Sequence, residues 1–174
     1  MRSINRCELP QGALLGRYQR DGAYADCYVA EVARRVSHAE YVEVFYTTTL
    51  FKVERLLLSW LVSKPSTDVQ ASQLAAGTLD TFAAWSVEAR SENQLLMSDF
   101  QGRTRSWLMV SFSSVEQTRL YFGSAVVPIM SKSGTRTLGP GFRALLGFHK
   151  LYSQALLFAA ESRLGRMQFA NGAH

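Results

Sequence analysis

The stretch whose reading decides the fold is Asn93–Phe112, "NQLLMSDFQGRTRSWLMVSF". Leu95, Leu96, Trp107 and Met109 flank a Gln101-Gly102 pair, and Asp99, Arg103 and Arg105 gather beside it. Two runs of strand formers around such a turn read as a β-hairpin. Its register stays open. A two-residue turn pairs Ser98 with Arg105 and Leu96 with Trp107. A three-residue loop, with Gly102 in the left-handed conformation, pairs Asp99 with Arg103 and Leu95 with Trp107. A slip of one residue exchanges the faces of a strand, yet Arg103, Arg105, Trp107 and Met109 share one face in either register. The charged tip reads as the solvated end that fixes register. The apolar stem is where a site is to be sought.

Outward from the hairpin the period of two continues. Strands are expected at 81–90, 93–100, 103–113 and 117–127, joined by "SEN", by "QG" and by a longer loop, "SSVEQ". Short loops make chain neighbours antiparallel, so these four form a meander. An earlier strand is expected in "AYADCYVAEVA", where Tyr24, Asp26, Tyr28 and Ala30 alternate with Ala25, Cys27, Val29 and Glu31.

Helices lie between that strand and the meander. Ser37 and Glu40 make a capping-box pattern, and Val36 and Tyr41 are spaced for a hydrophobic staple. The β-branched run Thr47–Thr49 predicts a break, with Thr48 or Thr49 capping a second helix that ends near Lys64, before Pro65. That second helix would bury Leu50, Val53, Leu57, Trp60 and Leu61. A third short helix is expected from Thr67 to Ala76, with Gly77 just past its end. After the Gly- and Ser-rich loop "PIMSKSGTRTLGPG", a long helix opens near Pro140 and runs to about Leu164. Phe142, Leu145, Leu146, Tyr152, Leu156 and Ala160 form its apolar face, widened by Phe148, Leu151, Ala155 and Phe158. So broad a face predicts heavy packing against the sheet.

The chain has 174 residues, 47% hydrophobic and 19% charged, which is enough apolar mass for a core without a metal or disulfide staple. Its net charge is +5, but Arg34-Arg35 is the single adjacent basic pair. A nucleic-acid footprint needs clustered charge, so no nucleic-acid partner is expected. Cys7 and Cys27 form no zinc or disulfide framework, and free thiols are favoured over a bridge. The start lacks the pattern of a signal peptide, and the apolar stretches Leu56–Val62 and Ala155–Ala160 are too short to span a membrane. A cytoplasmic location is expected. Residues 1–22 read as an irregular lead-in, 23–165 as one α+β domain and 166–174 as a tail.

The order of strand, helices, meander and long C-terminal helix resembles the helix-grip fold of the START-like (SRPBCC, polyketide cyclase-like) superfamily. "GRTRSWLMVSF", a Gly-led strand with a central Trp, and "GFRALLGFHKLYSQALLFAA", as the gripping helix, are similar to an uncharacterised bacterial branch of it. The resemblance implies a mostly antiparallel curved sheet that wraps the last helix around a cavity for an apolar ligand. Fewer strands follow the helices here than the family pattern carries, which implies a small cavity or none.

The residues support three functions. The first, implied by the resemblance, is binding of a small hydrophobic or amphipathic ligand, with Trp107, Tyr121, His149 and Tyr152 near the pocket. Trp and Tyr would supply walls and His149 a polar contact. Arg105, if it points inward, would read an anionic group. The second is an interaction or assembly module with a closed core, such as a homo-oligomer. The third is a cyclase- or dehydratase-like enzyme using His149, and a non-enzymatic role is favoured over it. No G-x-S-x-G elbow, dinucleotide fingerprint, P-loop or metal spacing occurs, so no cofactor and no metal are expected. The strand carboxylates Asp26, Glu31, Asp80, Glu88 and Asp99 read as solvated faces and ends.

Overall fold

A computed structural model of the chain describes residues 4–61, 65–130, 136–137 and 142–171. It describes the side chains of all these except 57–61, 129–130, 136–137, 142–149 and 168–171. Among the described residues a seven-stranded sheet runs β1-β2-β7-β6-β5-β4-β3. Its strands are β1 (Asn5–Arg6), β2 (Tyr24–Val32), β3 (Thr81–Phe82), β4 (Trp85–Ser91), β5 (Gln94–Asp99), β6 (Thr104–Ser114) and β7 (Gln117–Val126). Every neighbouring pair is antiparallel. The helices are α1 (Gly16–Arg20), α2 (His38–Tyr46), α3 (Thr49–Leu61), α4 (Asp68–Ala75) and α5 (Phe142–Asn171). A separate two-stranded ladder joins β8 (Ile129–Met130) to β9 (Arg136–Thr137). The protein is thus α+β, with a mostly antiparallel sheet, helices after the main first strand, and a long C-terminal helix on the sheet.

The central hairpin adopts the first of its two registers, pairing Ser98 with Arg105 and Leu96 with Trp107. Its turn is wider than two residues. Asp99 Oδ1 accepts from the backbone N–H groups of Arg103, at 2.7 Å, and Thr104, at 3.2 Å. Gly102, at φ 68°, completes the reversal. Asp99 therefore fixes the turn through backbone groups, not by pairing with the Arg103 side chain. The loop expected to be longer is the shorter one. Val115 and Glu116 alone separate the paired Ser114 and Gln117, and the surplus residue appears as a bulge between Phe112 and Ser114. The segment expected as one strand over 81–90 is two strands. Ala83, at φ 52°, turns the chain so that Phe82 pairs with Trp85.

Local signals fix the helix starts. The Ser37 side chain accepts from the Glu40 N–H, and the staple residues Val36 and Tyr41 are both buried. The Glu40 carboxylate does not close the box. It turns instead to Arg34, at 2.6 Å. Thr67 and Gln70 satisfy both halves of theirs. Thr48 Oγ1 accepts from the Phe51 N–H at 3.2 Å and starts α3, as the break at Thr47–Thr49 predicts.

The expected apolar side of α3 holds at Leu50, which packs against the main core, and fails at Val53. Phe51 and Arg55 are buried, whereas Val53 is exposed, and Leu57, Trp60 and Leu61 lie outside the described side chains. Arg55 is accommodated because its guanidinium is satisfied by the Ser66 carbonyl at 2.5 Å and Asp68 at 2.6 Å, beside the Phe82 ring. The widened face of α5 is also corrected. Leu156, Leu157, Ala160 and Leu164 are buried, but Leu151 and Phe158 are 70% and 49% exposed.

Both faces of the sheet are covered. On the inner face Tyr28, Ala30, Val32, Leu95, Met97, Leu108, Val110, Leu120 and Phe122 pack with α2, α4 and α5. On the outer face Cys27, Leu96, Trp107, Met109 and Ala125 pack beneath Leu9, Ala13, Leu14, Leu15 and Tyr18. The lead-in is therefore an ordered cover carrying β1 and α1. Gly123 lets it come close: a Cβ there would stand 2.8 Å from Leu15 Cδ2 and 2.9 Å from Trp107 Cε3.

Candidate functional site

The register places three polar side chains in one row across the inner face. Asp26 on β2 pairs with Ser124 on β7, and Ser124 pairs with Ser106 on β6. The row continues to Met97 on β5 and Val87 on β4. The next row, toward the core, is apolar: Tyr28, Phe122, Leu108 and Leu95. The row on the other side holds Tyr24, Val126 and Thr104. The inner face thus changes from apolar to polar along the strands.

Asp26 is 3% exposed, and Ser106 and Ser124 are buried with it. Ser124 Oγ donates to Asp26 Oδ1 at 2.6 Å, and the Tyr24 hydroxyl donates to Oδ2 at 3.3 Å. Burial, and next the Asp26 charge, push the Tyr24 pKa up to about 12. The Tyr46 hydroxyl of α2 donates to Met97 Sδ at 3.1 Å and also meets Ser106. Burial holds that hydroxyl protonated, with Ser106 opposing.

A second carboxyl group lies nearby on the helical side. The Tyr152 hydroxyl of α5 donates to Glu54 Oε2 of α3, and Trp85 of β4 also hydrogen-bonds Glu54. Burial raises the Glu54 pKa against the lowering effect of both donors. The Glu54 charge in turn adds to burial in raising the pKa of Tyr46. Ser153 of α5 is 1% exposed, and among the described residues its Oγ has no hydrogen-bond partner. Chemically, the two carboxyl groups and six hydroxyls offer acceptors and donors at the edge of an apolar interior. Among the described residues no three His, Cys, Asp or Glu side chains gather as a metal site would require.

The sheet divides the residues expected to line a pocket. Tyr152 is on the inner side, against the main core. Trp107, Tyr121 and Arg105 are on the outer side. Trp107 is fully buried, with Nε1–H donating to Gln94 Oε1 at 2.9 Å, and its ring lies 6.3 Å from that of Tyr121. Arg105 donates from Nε to Glu88 at 2.6 Å and to the Tyr18 hydroxyl at 2.8 Å, and from Nη1 to the Gly102 carbonyl at 2.7 Å. Arg17 joins the same Glu88. Arg105 therefore fastens α1 to the sheet, and among the described residues it does not meet the C-terminal helix. The side chain of His149 lies outside the described residues.

Sequence reasoning passed over Asp26, Ser106, Ser124 and Glu54. Strand parity could have found the first three. Asp26 is in phase with Tyr28, Ala30 and Val32, Ser106 with Leu108 and Val110, and Ser124 with Leu120 and Phe122. Reading Asp26 as a solvated strand residue is corrected by its burial. Glu54 had no such signal.

No protein-family model matches the chain, and no curated protein matches it. Solved structures overlap with it loosely. The crystal structure of CalU16 from Micromonospora echinospora is 14% identical at a TM-score of 0.41, over 95% of this chain and 84% of that one. Its solution structure gives 11% at 0.38, over 90% and 71%. A conserved protein of unknown function from Enterococcus faecalis gives 12% at 0.37, over 80% and 71%. At such identity and overlap no ligand, activity or residue role carries over. Among the described residues no helix is long and apolar enough to cross a membrane.

Proposed function

We propose that this chain binds a small amphipathic molecule between the sheet and the C-terminal helix, with the ligand's polar end at Asp26, Ser124 and Ser106. One observation carries the reading: three adjacent strands place a carboxyl group and two hydroxyls side by side in a buried row. Burying a charge is costly, and an apolar replacement generally serves a core as well or better. A row that exists for recognition has no such alternative. Ser153 of α5, buried and without a hydrogen-bond partner among the described residues, adds a hydroxyl from the helical side. Tyr152 contributes from the same helix, through the hydroxyl that meets Glu54. The order of elements, which resembles the START-like pattern, favours the same location.

Native mass spectrometry of freshly purified protein tests this. The expected result is a retained small molecule, and a roughly tenfold weaker hold in Asp26→Asn, the usual worth of one hydrogen bond to a charged group. A bare-chain mass, with no thermal shift across a panel of amphipathic compounds, overturns it. A second reading, assembly through the helices, is favoured by the exposed apolar residues Leu151 and Phe158 on α5 and Val53 and Leu56 on α3. Light scattering on a sizing column would then find a stable oligomer that Leu151→Glu disperses.

A further inference from the structure

Cys7 and Cys27 lie far apart in sequence, yet their sulfurs are 3.2 Å apart. The residue before Cys7 pairs with the residue after Cys27 in the β1–β2 ladder, and the Cys7 N–H donates to the Cys27 carbonyl at 2.9 Å. The two cysteines are thus cross-strand partners at the point where the lead-in leaves β1. Both are free thiols. A surface cleft of about 400 Å³ reaches both of them, lined also by Arg6, Glu8, Gln19 and Asp26.

We propose that Cys7 and Cys27 are a preset dithiol that closes to a disulfide and locks the N-terminal cover onto the outer face of the sheet. The oxidant is a low-molecular-weight disulfide. Cys7, the more exposed of the two, attacks one sulfur of that reagent as its thiolate. A mixed disulfide forms at Cys7 and the first small thiolate departs. Cys27 then attacks Cys7 Sγ, the Cys7–Cys27 bond forms, and the second small thiolate departs. The two departing thiolates take up the protons of Cys7 and Cys27. The cysteine pair loses two electrons, and the reagent gains them as two small thiols. Burial raises the pKa of both thiols, which slows their attack.

The structural consequence follows from what comes next in the chain. Leu9, Ala13, Leu14, Leu15 and Tyr18 cover Trp107, Met109 and Leu96. Reduced, this cover is held by packing, by the two pairs of β1 and by the contacts of α1. Oxidised, its entry point is tied covalently to β2.

The test incubates the reduced full-length chain with oxidised glutathione and quenches with acid. Intact mass and peptide mapping are then read. The expected product is lighter by two hydrogens, joins the Cys7 and Cys27 peptides, and accumulates no glutathione adduct. Cys27→Ser should stop at an adduct on Cys7. The wild-type melting midpoint should rise by roughly 5–10 °C on closure. Persistent free thiols, a stable adduct on the wild-type chain, or cross-links between chains overturn the proposal. An unchanged midpoint in the closed form overturns the locking role. If the variant does not fold, the wild-type masses decide alone.

Discussion

His38 opens α2 and is half-buried beside the sheet, where Nε2–H meets the Leu108 carbonyl at 3.4 Å. Sequence position alone would put it in solvent. Burial lowers its pKa from 6.5 to about 4, helped by the Arg90 charge and opposed by the Leu108 carbonyl. Between those values the unfolded chain takes up a proton that the folded chain refuses. Stability therefore falls as the pH drops through that window. The loss amounts to about 2 kcal/mol once partial exposure is allowed for. His38→Gln keeps a donor for Leu108 and removes the titration. In urea unfolding the variant should lose about 2 kcal/mol less than the wild type between pH 6.5 and pH 4. Identical pH profiles would refute the assignment. Glu54 works with the opposite sign. Its folded pKa is raised, so its contribution is present below the unfolded value and is lost as the pH climbs through the folded one. Comparing wild type and variant at each pH cancels that term.

Among the elements, α2 shows how much a cap decides. Ser37 satisfies one N–H of the first turn, and the staple closes over it. Ser37→Ala should cost about 1 kcal/mol, measured by chemical denaturation, with no change in the slope of the transition. A cost below a few tenths would mean that water replaces the cap. Such features were legible in the sequence because they depend on residues three or four apart. The starts of α2, α3 and α4 and the break at Thr47–Thr49 belong to this class, the meander follows from the period of two, and α1 was not read at all. The face of α3 was legible only in part, at Leu50, because Arg55 competes for the buried side through partners at Ser66 and Asp68 that local spacing does not reveal. The division of Trp107 from the C-terminal helix was not legible either. Period two says that Trp107 and Leu108 face opposite ways, but both neighbours are apolar, so the pattern does not say which face meets α5. The polar row was half legible: parity marks Asp26 as an inward residue, and only the cross-strand register brings Ser124 and Ser106 beside it.

At the scale of the whole molecule, the sheet is a partition with two cores of unequal origin. The inner core is built by helices with clear amphipathic or capping signals. The outer one depends on a segment with almost no periodic signal, residues 7–18, punctuated by Pro10, Gly12 and Gly16. Leu15 is its anchor, fully buried and positioned over Gly123 and Trp107. Gln94 ties the same segment to Trp107, since its Oε1 accepts from both the Leu14 N–H and the Trp107 ring N–H, at 2.9 Å each. If the cover is an integral part of the fold, Leu15→Ala should lower global stability by about 2–5 kcal/mol in one cooperative transition. Trp107 emission should then change together with the loss of helical circular dichroism. If the cover were an appendage, the variant would free residues 7–18 to protease at Arg17 and Arg20, and α5 would melt at the wild-type midpoint. Coincident transitions would establish that both faces of the sheet fold as one unit. That outcome is what the register leads one to expect, because the strands that carry Asp26, Ser106 and Ser124 inward carry Cys27, Trp107 and Gly123 outward.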